Sequence, residues 1–177
     1  MIFLTKYLSD ITLFTIFVPD NKSIANNTYY NKLISTIKTF TIMAYKVEQI
    51  EGVGEVYAEK LGAAGIKTTE DLLAKCASAK GRAAVEEETG ISHKLILKWT
   101  NHADLMRING IAGQFAELLE AAGVDTVKEF RHRVAANLQP KMVEINEQKN
   151  LCNRVPAVSE IERMIAQAKE LEPLISY

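Results

Sequence analysis

The pattern of apolar and polar positions changes character at residue 43. From there on, apolar residues recur three and four apart in short blocks, each closed by glycine. The clearest block is Ile50–Gly65 (IEGVGEVYAEKLGAAG). It returns 58 positions later as Ile108–Gly123 (INGIAGQFAELLEAAG). Tyr57, Leu61 and Ala64 stand at i, i+4 and i+7, and Phe115, Leu119 and Ala122 repeat that spacing, so each trio shares one buried helix face. Thr68 with Asp71, and Thr126 with Glu129, have N-cap and N3 spacing and predict the next helix starts. Ser92 is expected to cap a helix in which Leu95 and Trp99 face the core. Lys94, Lys98 and Asn101 are expected on a wetter face of it. Ser159 and Glu162 predict a further start ahead of Ile161, Ile165 and Ala168. No segment alternates with period two for long enough to argue a sheet, so the fold class expected is all-α.

The repeat extends beyond these blocks. Trp99–Leu105 resembles Ile165–Leu171 at an offset of 66, which exceeds 58 by 8. The surplus is placed as an insertion near Asn146–Val158, where Pro156 and neighbouring asparagines suit a loop. The organisation expected is two tandem units, 43–106 and 107–177, each of four or five short helices in one compact bundle.

Residues 1–42 read differently. They hold one alanine, no glycine and no glutamate, yet seven of the chain's 13 aromatic residues. They are rich in Ile, Thr, Asn, Lys, Tyr and Phe, which AT-rich codons encode. The expectation is a non-native or disordered leader, translated from upstream DNA, with the native start at Met43. N-terminal sequencing of protein made from its own promoter tests this. Ile11–Val18 imitates a signal core, but Asp10 precedes it, Lys6 is the only basic residue before it, and no small-residue cleavage pattern follows closely. The run is also far short of the ~18–20 residues of a membrane span.

Charge narrows the partners. Four lysines lie in the first 42 residues, leaving 17 of the 21 basic residues to the remainder, against 20 acidic ones. That mild acidity is not the balance of a strong nucleic-acid binder, so any DNA contact must be local. Cys76 and Cys152 stand far apart with no CxxC partner, which predicts two buried free thiols, no zinc and a cytoplasmic setting. Glu86, Glu87 and Glu88 are consecutive, so on a helix they diverge and cannot gather one metal ion. His93, His102 and His132 are scattered, and His102 is expected to pack beside Trp99. No nucleophile with a base and no Walker loop is present. The chain is expected to be no enzyme and to need no cofactor or metal.

The glycine blocks carry the candidate chemistry. A glycine turn running into a helix aims several unbonded amides in one direction, where the helix dipole also favours an anion. Gly52, Val53 and Gly54 in the first block, and Gly110, Ile111, Ala112 and Gly113 in the second, are therefore the expected phosphate contacts. Lys60, Lys94, Lys98 and Arg107 are the candidate supporting cations. Backbone contact of this kind is largely independent of base sequence. Ala112 departs from the first copy, narrowing the approach and disfavouring positive φ, and Glu55 sits where a phosphate would come close.

These residues resemble the helix-hairpin-helix family: Ile50, Gly52, Val53, Gly54, Ala58 and Leu61 match its pattern, as do Ile108, Gly110, Ile111, Ala116 and Leu119. Over its whole length, 43–177 resembles the family catalogued as domain of unknown function 4332, through EGVGEVYAEKLGAAGI, ILKWTNHADLMRI, FAELLEAAGVDTVKE and IAQAKEL. The resemblance implies a tandem helix-hairpin-helix domain that holds DNA backbone without sequence choice. Two other readings stand beside it: a protein-interaction scaffold that kept the fold without DNA binding, and a flap-endonuclease-like nuclease. Partners expected are DNA phosphates or another protein, and no membrane.

Overall fold

A computed structural model describes residues 45–177. The expectations for residues 1–42 and for the start at Met43 lie outside the described residues. Among the described residues, a 3₁₀ turn (Val47–Gln49) precedes eight helices. They are α1 (Glu55–Ala63), α2 (Thr69–Cys76), α3 (Ala79–Thr89), α4 (His93–Leu105), α5 (Gly113–Ala121), α6 (Val127–Phe130), α7 (Ala135–Lys149) and α8 (Val158–Glu170). No strand occurs among them, and a single bridge pairs Lys46 with Thr68. The all-α class expected from periodicity is the class observed. None of these helices is long and apolar enough to cross a membrane.

Local chemistry sets the helix starts. The Thr68 hydroxyl accepts from Asp71 N at 3.1 Å, while the Asp71 carboxylate accepts from Thr68 N at 2.9 Å and Lys67 N at 3.0 Å. This reciprocal pairing satisfies donors that a helix start leaves open. At α6 the pattern slips. Thr126 accepts from Glu129 N at 3.4 Å, but the Glu129 carboxylate takes Asp125 N at 3.0 Å, one residue earlier. At α8 the expected Ser159–Glu162 box does not form, and half of such a pairing stands two residues upstream. Glu160 reaches back to Ala157 N at 2.8 Å and is held by Arg154 at 2.7 and 3.0 Å. The guanidinium and that amide bring the Glu160 carboxyl down to about 2.

The repeat register also shifts. Helices α4 and α8 each hold 13 residues and begin at His93 and Val158, 65 apart. Ile96 and Ala103 correspond to Ile161 and Ala168, all fully buried. The offset is therefore 65 rather than 66. The extra length does not sit in a loop alone: α7 has 15 residues where α3 has 11, and Asn150–Ala157 supplies the rest.

Helix α2 packs on α3 and α4, α5 bridges α4 to α7, and α7 rests on α8. Trp99 lies at the centre, 1% exposed, with the Tyr57 ring edge-on at 5.0 Å. Cys76 and Cys152 are free and buried, and burial pushes the Cys76 thiol up to about 11. Two α4 positions depart from expectation. Asn101 is buried rather than on a wet face, and His102 is wholly buried. The His102 Nε2 sits 2.9 Å from Glu120 Oε2 on α5. The His102 bond is the chief reason the Glu120 carboxyl lies below its ordinary 4.5.

Such a carboxylate adds stability above its unfolded pKa and loses it as pH falls through the lower folded value. Acid unfolding is therefore expected to steepen below about pH 4.5. Glu120→Gln should remove that part of the slope. Thermal melts of both chains between pH 3 and 7 check this; parallel curves would refute it.

Candidate nucleic-acid interface

Both glycine blocks fold into the same turn. In the first, Ile50 is buried, Val53 N bonds Ile50 O at 3.0 Å, and Val53 anchors the turn at 4% exposed. In the second, Ile111 N bonds Ile108 O at 3.0 Å, and Ile108 and Ile111 are both fully buried. Gly52 and Gly110 take φ of +88° and +92°, a left-handed conformation that glycine adopts without steric cost. Behind each turn stands a residue of the closing helix. A Cβ on Gly52 would lie 3.4 Å from Trp99 Nε1, and one on Gly110 would lie 2.9 Å from Met164 Cε. Trp99 and Met164 are themselves 65 residues apart, so one helix supports each turn in the same register.

The helix starts face outward. Gly54 is the N-cap of α1 and Ala112 that of α5, both are exposed, and neither start carries a side-chain cap bond. No heavy atom lies within 4 Å of a Cβ placed on Gly54. The first amides of both helices thus have no side-chain acceptor. The expected penalty at Ala112 does not arise. Its φ is −109°, and Gly54 at the equivalent position has φ −79°, so the site is extended in both copies.

Gly113 has a different role from the one expected. It is buried, and a Cβ there would fall 2.2 Å from Gln49 O and 3.2 Å from Glu51 N. It is a packing glycine that lets the start of α5 dock on the chain leading into the first turn. That contact places the start of α5 against Gln49–Glu51, the stretch that leads into the first turn. Gly54 follows Glu51 by three residues, a reach of at most about 11 Å.

The cations are mostly committed elsewhere. Arg107, proposed as a phosphate contact, is 8% exposed; its Nη1 bonds Asp104 Oδ1 at 2.6 Å, and both Nη atoms reach Glu172 O at 3.0 Å. It leaves the set. Lys98 Nζ lies 3.1 Å from Glu120 and 3.4 Å from Glu117, so two carboxylates offset its charge. Burial opposes its charged form, but the bond to Glu120 prevails and its pKa is raised. Lys60 is exposed but sits in the last turn of α1, about 9 Å along the axis from Gly54. Lys94 is exposed in the first turn of α4. Four exposed acids, Glu48, Glu51, Glu55 and Glu59, flank the first turn.

Sequence reasoning missed Arg163. It lines a shallow cavity of about 390 Å³ beside Asn109 and Gly110, with Glu160, Met164 and Gln167. Gln167 Oε1 accepts from Asn109 N at 3.0 Å, which fixes α8 against the second turn. The repeat offset carries the signal: 65 residues from Lys98 lies Arg163, so each closing helix brings a cation one position before the residue behind its turn. Of the acidic run, Glu86 accepts from His93 N at 2.9 Å while Glu87 and Glu88 are exposed. Among the described residues, no three His, Cys, Asp or Glu are gathered to hold a metal.

Residues 51–171 match the model of a family described as Domain of unknown function (DUF4332). No curated protein and no solved structure matches the chain.

Proposed function

The chain belongs to the DUF4332 family, and from that premise we propose a non-catalytic tandem helix-hairpin-helix module that holds DNA phosphates without reading bases. The observation that supports this is the pair of helix starts after Gly52 and Gly110 that carry no side-chain cap, with the start of α5 docked on the chain leading into the first turn. Amides so placed bind anions through geometry and dipole, with little need for net positive charge. The contact set is the amides that follow Gly54 and, in the second copy, that of the exposed Gln114, with Arg163 as the adjoining cation. Two unpaired thiols fit a reducing cytoplasm. A protein-interaction scaffold is the second reading, favoured by the four acids around the first turn and by the neutralised Lys98.

Titration of the full chain with duplex DNA at several salt concentrations tests the proposal. With few cations involved, affinity is expected to fall only roughly tenfold between about 50 and 200 mM salt. Gly52 is a poor position for a variant, because any side chain there is strained by its φ of +88°. Gly54 is a good one. Gly54→Ser and Gly54→Asp supply a side-chain acceptor that occupies the α1 amides, and each is expected to raise stability by a few tenths of a kcal/mol. DNA affinity should nevertheless drop at least fivefold in the serine variant and vanish in the aspartate one. Unchanged binding by both variants, or no binding by the parent chain at low salt, would leave the scaffold reading.

A further inference from the structure

Beyond the turns, the fold holds a second feature that contact with DNA does not use. Helix α8 ends at Glu170, and the chain from Glu172 to Tyr177 crosses the domain without helical structure. Two buried arginines hold this strap by its main chain. Arg107 bonds Glu172 O with both Nη atoms at 3.0 Å, and Arg82 Nη2 bonds Ser176 O at 2.8 Å. Ser176 N answers by donating to Ala77 O at 2.9 Å. The Tyr177 ring lies over the Arg82 guanidinium, 6.0 Å from its carbon.

Arg82 is 1% exposed, yet its hydrogen-bond acceptors are Cys76 O, Ala77 O and Ser176 O, all neutral carbonyls. Among the described residues no carboxylate pairs with it, and its Nε has no partner. A buried guanidinium in this state lacks a compensating charge. Pro173, Ile175 and Tyr177 line an open cavity of about 370 Å³, whose wall also includes Asp104, Thr126, Lys128, Glu129, His132 and Arg133. The two acids are already engaged: Asp104 with Arg107 and Val127 N, Glu129 with Asp125 N. The basic groups on that wall, Lys128 and Arg133, are exposed, and Arg133 spends one Nη on Gly123 O, a neutral carbonyl that leaves its charge unpaired.

We propose that this surface is a receptor for a non-helical acidic peptide of a partner protein, and that Glu172–Tyr177 occupies it in cis. The receptor grips carbonyls, which any sequence offers. Selectivity comes from an aromatic ring stacked on Arg82 and an acidic side chain directed at the Lys128–Arg133 wall, where the strap places only Pro173 and Ile175.

The full chain carrying Ser176→Pro tests this. Proline removes the amide that bonds Ala77 O, so the strap should leave its seat while the helices remain, as circular dichroism will report. A fluorescent peptide of sequence Leu171–Tyr177 is expected to bind this variant at least tenfold more tightly than the parent chain. The same peptide with Pro173→Glu should bind at least threefold more tightly again. Equal binding to both chains, or to neither, overturns the receptor, and no gain from the glutamate overturns the acidic preference. Hydrogen exchange on the parent chain provides a readout free of variants. The Ser176 amide is expected to exchange at least 100-fold faster than the Leu119 amide, and equal protection would show a strap that never leaves.

Discussion

Replacing Asp104 by alanine is expected to lower the melting temperature by about 10–20 °C. Asp104 is 1% exposed and has two partners, Arg107 Nη1 at 2.6 Å and Val127 N at 2.9 Å. Burial is the largest influence on its carboxyl and raises its pKa, with the Arg107 charge opposing. Removing one member of a buried ion pair leaves the other charged and unpaired, which costs about 3–5 kcal/mol. Val127 N, the first amide of α6, would lose its acceptor as well. For a domain of this size each kcal/mol moves the midpoint by about 3–5 °C. Thermal melts by circular dichroism give the number. A shift below about 3 °C would mean that Arg107 finds other acceptors and that the pair is not what fixes the junction between α4 and α6.

Gly113→Ala is the second large effect. The added carbon would stand 2.2 Å from Gln49 O, a backbone atom that cannot swing aside as a side chain can. Overpacking of this kind costs about 1–3 kcal/mol, and relief requires α5 to move off the first turn. The expected result is a melting point lower by about 5–15 °C together with weaker DNA binding, since the start of α5 no longer docks on the chain leading into the first turn. Gly54→Ala is the natural contrast. It adds the same carbon in open space, at a position where Ala112 already stands in the second copy, and stability should change by less than about 1 kcal/mol. Equal destabilisation by both would show that Gly113 has no special contact.

Much of this was legible in the residues. The helix class, the buried trio Phe115, Leu119 and Ala122, its counterpart Leu61 and Ala64 with Tyr57 only half-buried, the central Trp99, the reciprocal Thr68–Asp71 start and the two free thiols follow from spacing and residue type alone. The failures have physical causes. Arg107 and Lys98 read as surface cations because a sequence does not show which carboxylates lie across the packed face; Asp104, Glu117 and Glu120 lie there. Gly113 read as a ligand contact because a packing glycine and a phosphate glycine carry the same letter, and only the Gln49 carbonyl separates them. Ala112 read as a defect because positive φ was assigned to the second position of the motif, whereas the turn needs it only at Gly52 and Gly110. The grip of Arg82 on Ser176 spans 94 residues and carries no local pattern.

That same span has a consequence for how the protein is made. At roughly 5–20 residues per second of ribosomal synthesis, the interval between Arg82 and Ser176 lasts about 5–20 s, far longer than a helix needs to form. Throughout that interval the nascent first half holds a cation at its seam with no chain yet made to cover it. Completion of that half waits on the synthesis of the segment around Ser176, so the order of manufacture, and not only the final energy, governs when the domain becomes whole.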